Sequence, residues 1–282
     1  MVRLSDINDL KGIIAVWKEA FGDSEEDILF FLDNSYVADN TVVYDYNGEV
    51  ASVLFLLDGD MHINGTDYSS YYLYAACTLK KYRGRGIMSE MLEFSKDISA
   101  ERNKLFIALK PAEDSLYNYY GRFGYRSVFT MKNMISDIDN FSENNDITNN
   151  DNYDYSELRN NFLKNYDYFK WNGSSVDFAI NHHKYYGGNI VSDNNGYLLY
   201  SINDGFIDIK ENTFSYDIFY KLTMEIADRN KIKKIKANLP FGFQTAHGKS
   251  EIRKSGMLLP VSPEADKLIE SVNNAYLSLT LD

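Results

Sequence analysis

Apolar residues recur at helical spacing near the start of the chain, where Ile7, Leu10, Ile14, Trp17 and Phe21 line one face of a helix that Ser5 or Asp6 can cap and Gly22 ends. A short strand, Val2 to Leu4, precedes it. Ser24 caps a second helix carrying Ile28, Phe31 and Leu32, which closes near Asp33-Asn34. The period then falls to two. Thr41 to Tyr46 and Glu49 to Leu57 flank Asn47-Gly48, a dipeptide suited to the left-handed turn of a hairpin, and a second such pair, Asn64-Gly65, introduces a strand from Tyr68 to Leu79. Helical spacing returns with Ile87, Met91, Phe94 and Ile98, followed by a strand from Leu105 to Leu109. Pro111 opens a short helix over Ala112 to Arg122 that stops at Phe123-Gly124, and a strand or hairpin covers Tyr125 to Ile135. The predicted order is β-α-α-β-β-β-α-β-α-β.

Residues 136–154 break this pattern. They are crowded with Asn, Asp and Ser and nearly devoid of aliphatic side chains, which predicts a surface linker between a domain over 1–135 and a second over 155–282. The second half repeats the first in element order, without residue identity. Helices are expected around Leu158 to Tyr166 and Val176 to Tyr186, with Gly187-Gly188 as a stop. Strands follow at Ile190, Tyr197 to Ile202 and Phe206 to Lys210, then a helix through Phe219, Leu222 and Ile226 and a strand from Ile232 to Leu239. In the tail, Gly256 to Pro260 reads as a strand end, Ser262-Pro263 starts a helix through Leu268, Ile269 and Val272, and Tyr276 to Leu281 alternates like a strand.

Composition narrows the function classes. The longest apolar run, Ala51 to Leu57, is far shorter than the roughly 20 residues of a membrane span, and Met1 to Asp6 lacks the apolar core of a signal peptide, so a soluble, cytoplasmic protein is expected. The single cysteine, Cys77, excludes an intrachain disulfide and a cysteine-rich metal site. Adjacent His182 and His183 point about 100° apart on a helix, a poor arrangement for sharing an ion, and no metal is expected. A net charge of −12 disfavours nucleic acid as a partner and favours cationic ones. The 23 tyrosines and 17 phenylalanines are scattered through the expected elements, as packing residues would be. Association into a homo-oligomer is left open by the sequence.

Against that acidic background one stretch is basic: Leu79-Lys80-Lys81-Tyr82-Arg83-Gly84-Arg85-Gly86-Ile87-Met88, between an expected strand and an expected helix. Its glycines let backbone N–H groups approach an anion at the positive end of a helix, a natural place for a pyrophosphate. The spacing is not that of G-x-x-x-x-G-K-[ST], because a Lys would have to follow the last glycine, nor that of G-x-G-x-x-G, since position 89 is Ser89. Taken alone it would more often be a solvated basic turn. Cys77, just before it, reads as a small buried hydrophobe rather than a nucleophile. Asp23, Glu25, Glu26 and Asp27, between the first two helices, read as a helix-capping solvated face that also suits attraction of a cationic amine.

One helix and one strand downstream lies Tyr120-Gly121-Arg122-Phe123-Gly124-Tyr125. This order of motifs resembles the GCN5-related N-acetyltransferase family, in which Arg/Gln-x-x-Gly-x-Gly/Ala receives the coenzyme A pyrophosphate and a Tyr-x-x-x-Gly-Phe/Tyr segment carries a catalytic tyrosine. The first pattern here reads Arg83-Gly84-Arg85-Gly86-Ile87-Met88, and Met88 departs from it. That departure and the tandem layout are similar to the enhanced-intracellular-survival type of acetyltransferase. The resemblance implies an α/β (α+β) fold of tandem acetyltransferase-like domains, each a mixed, mainly antiparallel sheet flanked by helices, the second degenerate and without a cradle. It implies acetyl-CoA as co-substrate, with Ala76, Cys77 and Thr78 offering backbone groups to pantetheine and oxyanion, residues Arg83, Gly84, Arg85, Gly86, Ile87, Met88 and Ser89 at the pyrophosphate, and Ser115 as a further contact. Tyr120 would protonate the leaving sulfur, and the acceptor would be a primary amine on a small molecule, a polyamine or aminoglycoside, or a peptide. Family members often carry a third, sterol-carrier-like domain, for which this chain is too short, and a terminal carboxylate that acts as general base, a role that would fall to Asp282. The alternative is a coenzyme-binding regulatory or scaffold module that transfers nothing.

Overall fold

The computed structural model describes residues 1–137, 153–245 and 248–280. They form two compact units, each drawn from three stretches of chain: Met1–Asp60, Tyr68–Arg126 and Met257–Ser271 make the first, and Met61–Asp67, Ser127–Gly256 and Val272 onward the second.

The first unit opens with β1 (Val2–Leu4), α1 (Leu10–Phe21) and α2 (Glu25–Ser35). Asp6 and Asp9 cap each other's backbone before α1, Gly22 ends that helix in the left-handed region at φ 80, and Ser24 caps α2 above an acidic first turn, which suits the helix dipole. Strands β2 (Thr41–Tyr46), β3 (Glu49–Ile63) and β4 (Thr66–Thr78) follow. Both predicted Asn-Gly turns are present, with positive φ at each of Asn47, Gly48, Asn64 and Gly65. β3 outruns its predicted end at Leu57, since the alternation resumes beyond Asp58-Gly59-Asp60 with buried Met61 and Ile63. Helix α3 (Ile87–Glu101), β5 (Phe106–Leu109) and α4 (Asp114–Gly121) complete the predicted order, and β6 (Arg126–Asp137) leads into the second unit. The strand order is β1-β2-β3-β4-β5, with β5 parallel to β4, and Met257–Pro260 pair antiparallel with the far side of β5.

The second unit contains α5 (Tyr155–Leu163), β7 (Tyr168–Trp171), α6 (Gly173–Tyr185), β8 (Asn189–Asp193), β9 (Gly196–Asn203), β10 (Phe206–Asn212), α7 (Tyr216–Asn230) and β11 (Lys234–Leu239). β12 (Lys249–Pro260) ends in the first unit, where α8 (Pro263–Leu268) also lies. Within the second unit the order is β8-β9-β10-β11-β6, and only β10 and β11 run parallel. Each unit is therefore a mixed, mainly antiparallel sheet flanked by helices.

Two expectations need correction. The four-residue strand β7 is absent from the sequence reading, because so short an alternation is indistinguishable from a helix-to-helix loop. The tail is not a strand over Tyr276 to Leu281. Ala275 and Tyr276 make only isolated bridges, Leu279 has φ 56, and Leu281 lies outside the described residues. Polar contacts hold this tail instead. Arg159, 0% exposed, donates from Nε to Glu211 (3.1 Å), from Nη1 to the Phe169 carbonyl (3.2 Å) and from Nη2 to Ser278 Oγ (3.2 Å). Glu211, 1% exposed, also accepts from Tyr197 Oη (2.6 Å) and Ser278 Oγ (2.5 Å), while Trp171 Nε1 donates to the Ser278 carbonyl (2.8 Å).

Such a pair is costly to halve. Arg159→Ala is expected to destabilise the fold by roughly 3–5 kcal/mol, because it strands a buried carboxylate, whereas Arg159→Met with Glu211→Leu should recover much of that loss. Urea unfolding of the three proteins checks the order.

Candidate active site

The site begins where two parallel strands part. β4 runs to Thr78, but it pairs with β5 only over Ser70–Tyr72, so its last residues have no strand on that side. Ala75 sits at φ 48, a region L-residues rarely adopt, and turns the strand at this point. The end it leads to is fixed from behind. Ser52 Oγ donates to the Cys77 carbonyl (2.6 Å) and lies 2.8 Å from Thr78 Oγ1, the Leu79 N–H bonds the Ala51 carbonyl (3.0 Å), and Arg83 Nε donates to the Thr78 carbonyl (2.9 Å). Ala76, Cys77 and Thr78 therefore stand together on an open strand end braced by these bonds. Burial pushes the Cys77 thiol up to about 12, which keeps it protonated and agrees with its reading as a small buried group.

The basic turn follows, and Lys81, Arg83 and Arg85 each bond within the local architecture. Lys81 Nζ bonds both carboxylate oxygens of Glu49 (2.7 and 2.8 Å), and Tyr82 Oη donates to the same group (2.6 Å). Together they hold the Glu49 carboxyl below its usual range, Lys81 contributing most. Arg85 lies over the rings of Tyr46 and Tyr82, at 5.7 and 5.4 Å from their centroids, and donates to the Lys81 carbonyl (3.2 Å). The Lys80 N–H reaches Glu19 Oε1 at 2.6 Å. The backbone of the turn has the conformation that its glycines predict. Gly84 (φ 75) and Gly86 (φ 81) adopt left-handed conformations, and Gly86 is the residue before α3. The first bond of that turn runs from the Glu90 N–H to the Gly86 carbonyl, so the N–H groups of Ile87, Met88 and Ser89 have no helical acceptor and sit at the positive end of the dipole.

Tyr120, on α4, is 9% exposed and packs edge-on against Tyr119 and Tyr125, with ring centroids 5.4 and 5.6 Å away. Burial, and then the neighbouring Tyr119 and Cys77, push its phenol up to about 12. It is neutral at physiological pH, and its hydroxyl makes no hydrogen bond among the described residues. Gly124 (φ 90) gives the turn after α4, and a Cβ there would come within 3.2 Å of Leu259. Ser115, in the first turn of α4, donates to Glu113. Asp282 lies outside the described residues. Sequence reasoning missed Ser52, Glu49 and Ala75. A lone serine inside the apolar run Ala51–Leu57 was a usable signal for the first; nothing local marks Ala75.

Beside Ala75 an aromatic group collects. Trp17 has ring centroids of Phe31, Phe55 and Tyr74 at 5.0, 5.4 and 5.8 Å, and its Nε1 donates to Asp23 (2.8 Å). Among the described residues no group of three or more His, Cys, Asp or Glu is arranged to hold a metal ion. His183 Nε2 faces the carbonyls of Asn189 and Tyr200 (3.2 and 3.1 Å), and the His182 ring packs tilted against Tyr186 at 4.7 Å. No described helix is long and apolar enough to cross a membrane.

A splayed parallel pair beside a glycine-bearing helix start, with a buried tyrosine on the following helix, is the arrangement of an acyltransferase. Residues 1–128 match the family model described as an acetyltransferase (GNAT) domain. No curated protein matches the chain by sequence. Among solved structures it is similar to a probable N-acyltransferase of Enterococcus faecalis V583, with TM-score 0.74, 13% identity and 94% of this chain covered against 73% of the other. It is also similar to Eis1 of Mycobacterium abscessus (TM-score 0.71, 13% identity, 94% and 75% covered) and to a GCN5-related N-acetyltransferase of Anabaena variabilis (TM-score 0.73, 15% identity, 93% and 73% covered).

The two site glycines are required by conformation and not by space, since a Cβ on Gly84 or Gly86 would meet no atom within 4 Å. Gly86→Ala is therefore expected to cost about 1–2 kcal/mol through its left-handed backbone, while Gly121→Ala, on α4 and also in open space, leaves the melting temperature unchanged or slightly raised. Chemical denaturation of both variants provides the comparison.

Proposed function

We propose that this enzyme moves an acetyl group from acetyl-CoA directly to a primary amine, with Tyr120 as general acid. One observation carries the reading: the buried Tyr120 phenol, pushed up to about 12 and without a hydrogen-bond partner among the described residues, is near enough to Cys77 at the open end of β4 to be influenced by it. Acetyl-CoA supplies the acetyl group as an activated thioester. Residues Gly84 to Ser89 would hold its pyrophosphate through backbone N–H groups, and Arg83 would act by fixing the strand end rather than by touching phosphate. The backbone of Ala76 to Thr78 would align the pantetheine arm and steady the carbonyl oxygen as charge develops on it. Tyr120 Oη would give its proton to the departing sulfur. Ser115 is a further contact in this reading, once its hydroxyl leaves Glu113.

The acceptor is a cationic amine, on a small molecule of polyamine or aminoglycoside character or on a peptide. The acidic turn Asp23 to Asp27 and the aromatic group around Trp17 support this class, because together they attract and pack against an ammonium-bearing chain. The amine must lose a proton before it attacks, and the Asp282 carboxylate is the base proposed for that step. A cytoplasmic location goes with the single free cysteine.

Free thiol released from acetyl-CoA in the presence of an amine panel tests the transfer. Amine-dependent release is expected, and coenzyme binding without release across a broad panel would make this a coenzyme-binding module instead. Tyr120→Phe should lower turnover about 100-fold or more with coenzyme affinity little changed, and full activity in that variant removes the acid role. Because the phenol titrates near 12, the wild type should show no loss of rate from Tyr120 ionisation up to about pH 11. Removing Leu281 and Asp282 should change the pH profile on its acid side; an unchanged profile counts against the terminal base.

A further inference from the structure

The second unit holds a cavity of about 840 Å³ that the chemistry above does not use. Its walls follow from strand parity. On β6, Met134 joins the core packed on α7 and Lys132 bonds the Phe243 carbonyl of that core, so Ser136 shares their face, and Asn133 turns the other way to bond Asn238. On β11, Ile235 and Ala237 belong to the same core, so Lys236 points away from it. The floor is therefore Met134, Ser136 and Ile235. Helix α7 gives one wall through Phe219, Met224 and a stacked pair, Tyr216 and Tyr220, with ring centroids 6.1 Å apart at 27°. β12 gives the other through Lys249, Glu251 and Arg253.

The cavity exists because an element is missing. In the first unit the strand after the crossover helix is followed by α4; in the second, β11 is followed by no helix among the described residues before β12. The sheet beside α7 is left with an aromatic wall and a floor of thioether and aliphatic groups, within the size range of a small-molecule site. Charge then selects the ligand. Glu251 is neutralised by Arg253, and Lys249 has no ion-pair partner among the described residues, which leaves the wall one positive charge in excess.

We propose that this cavity binds a small planar or acyl body carrying a carboxylate, stacked on Tyr216 and Tyr220 with its anion on Lys249 and Arg253. The probe is 2-naphthoate, titrated by calorimetry into the full chain. One site per chain is expected, with Kd of about 100 µM for a ligand of this size, and 2-naphthylmethylamine should bind at least about tenfold more weakly. Arg253→Glu and Tyr220→Ala, at exposed side chains, should each weaken naphthoate about tenfold, the size of a lost charged contact or aromatic contact, with unfolding transitions unchanged. Saturating coenzyme A should not displace it. Absence of saturable binding, equal or tighter binding of the amine, indifference to both substitutions, or displacement by coenzyme A would each overturn the assignment.

Discussion

The site depends on the point at which β4 leaves β5. Pairing over Ser70–Tyr72 holds the two strands as a parallel sheet, and the left-handed Ala75 then turns the rest of β4 aside. A strand end freed in this way would ordinarily fray. Here its carbonyls accept from Ser52 and Arg83, so the open edge is held rigid while the side facing β5 keeps no strand partner. Every other feature of the site is placed relative to that edge. The basic turn begins where β4 ends, α3 presents its unbonded N–H groups just beyond, and Tyr120 is close enough to Cys77 for the two groups to feel one another.

The same logic extends to Lys81, Arg83 and Arg85, whose side chains brace the turn. An anion held by backbone N–H groups at a helix start needs those groups fixed in space. Glu49 gathers Lys81 and Tyr82, and Arg85 lies across two tyrosine rings, so the loop carrying Gly84 and Gly86 is tied down on both sides. Replacing these contacts would loosen the loop without removing a single N–H from it.

What was legible in the sequence is local chemistry. Asp6, Ser24, Gly22 and the two Asn-Gly pairs each act within a few residues, and each is found in the conformation its chemistry requires. The glycine turn and the Tyr120 segment were also readable, because backbone conformation and motif spacing are encoded where they act. The rest is settled by residues far apart in sequence. Glu49 and Lys81 meet across 32 positions, Arg159 and Ser278 across 119, and no periodicity announces either. The tail shows the cost: its alternating pattern suggests a strand, but its geometry is dictated by Glu211 and Arg159.

The second unit contains its own parallel pair, and its fate differs for a physical reason. β10 and β11 pair over Phe206–Ile209 and Lys234–Ala237, and β10 then shifts register before Glu211. The opening that follows is filled from within. Ser278 bonds Glu211 at the end of β10, Tyr276 Oη donates to the Asn238 carbonyl on β11 (3.4 Å), and Arg159 closes the group with three buried bonds. A pyrophosphate-bearing ligand entering there would have to displace the tail and lie against the buried acidic side chain of Glu211, which is unfavourable for an anion. The glycines absent from this half of the sequence are thus one of two barriers, and the buried Glu211 is the other.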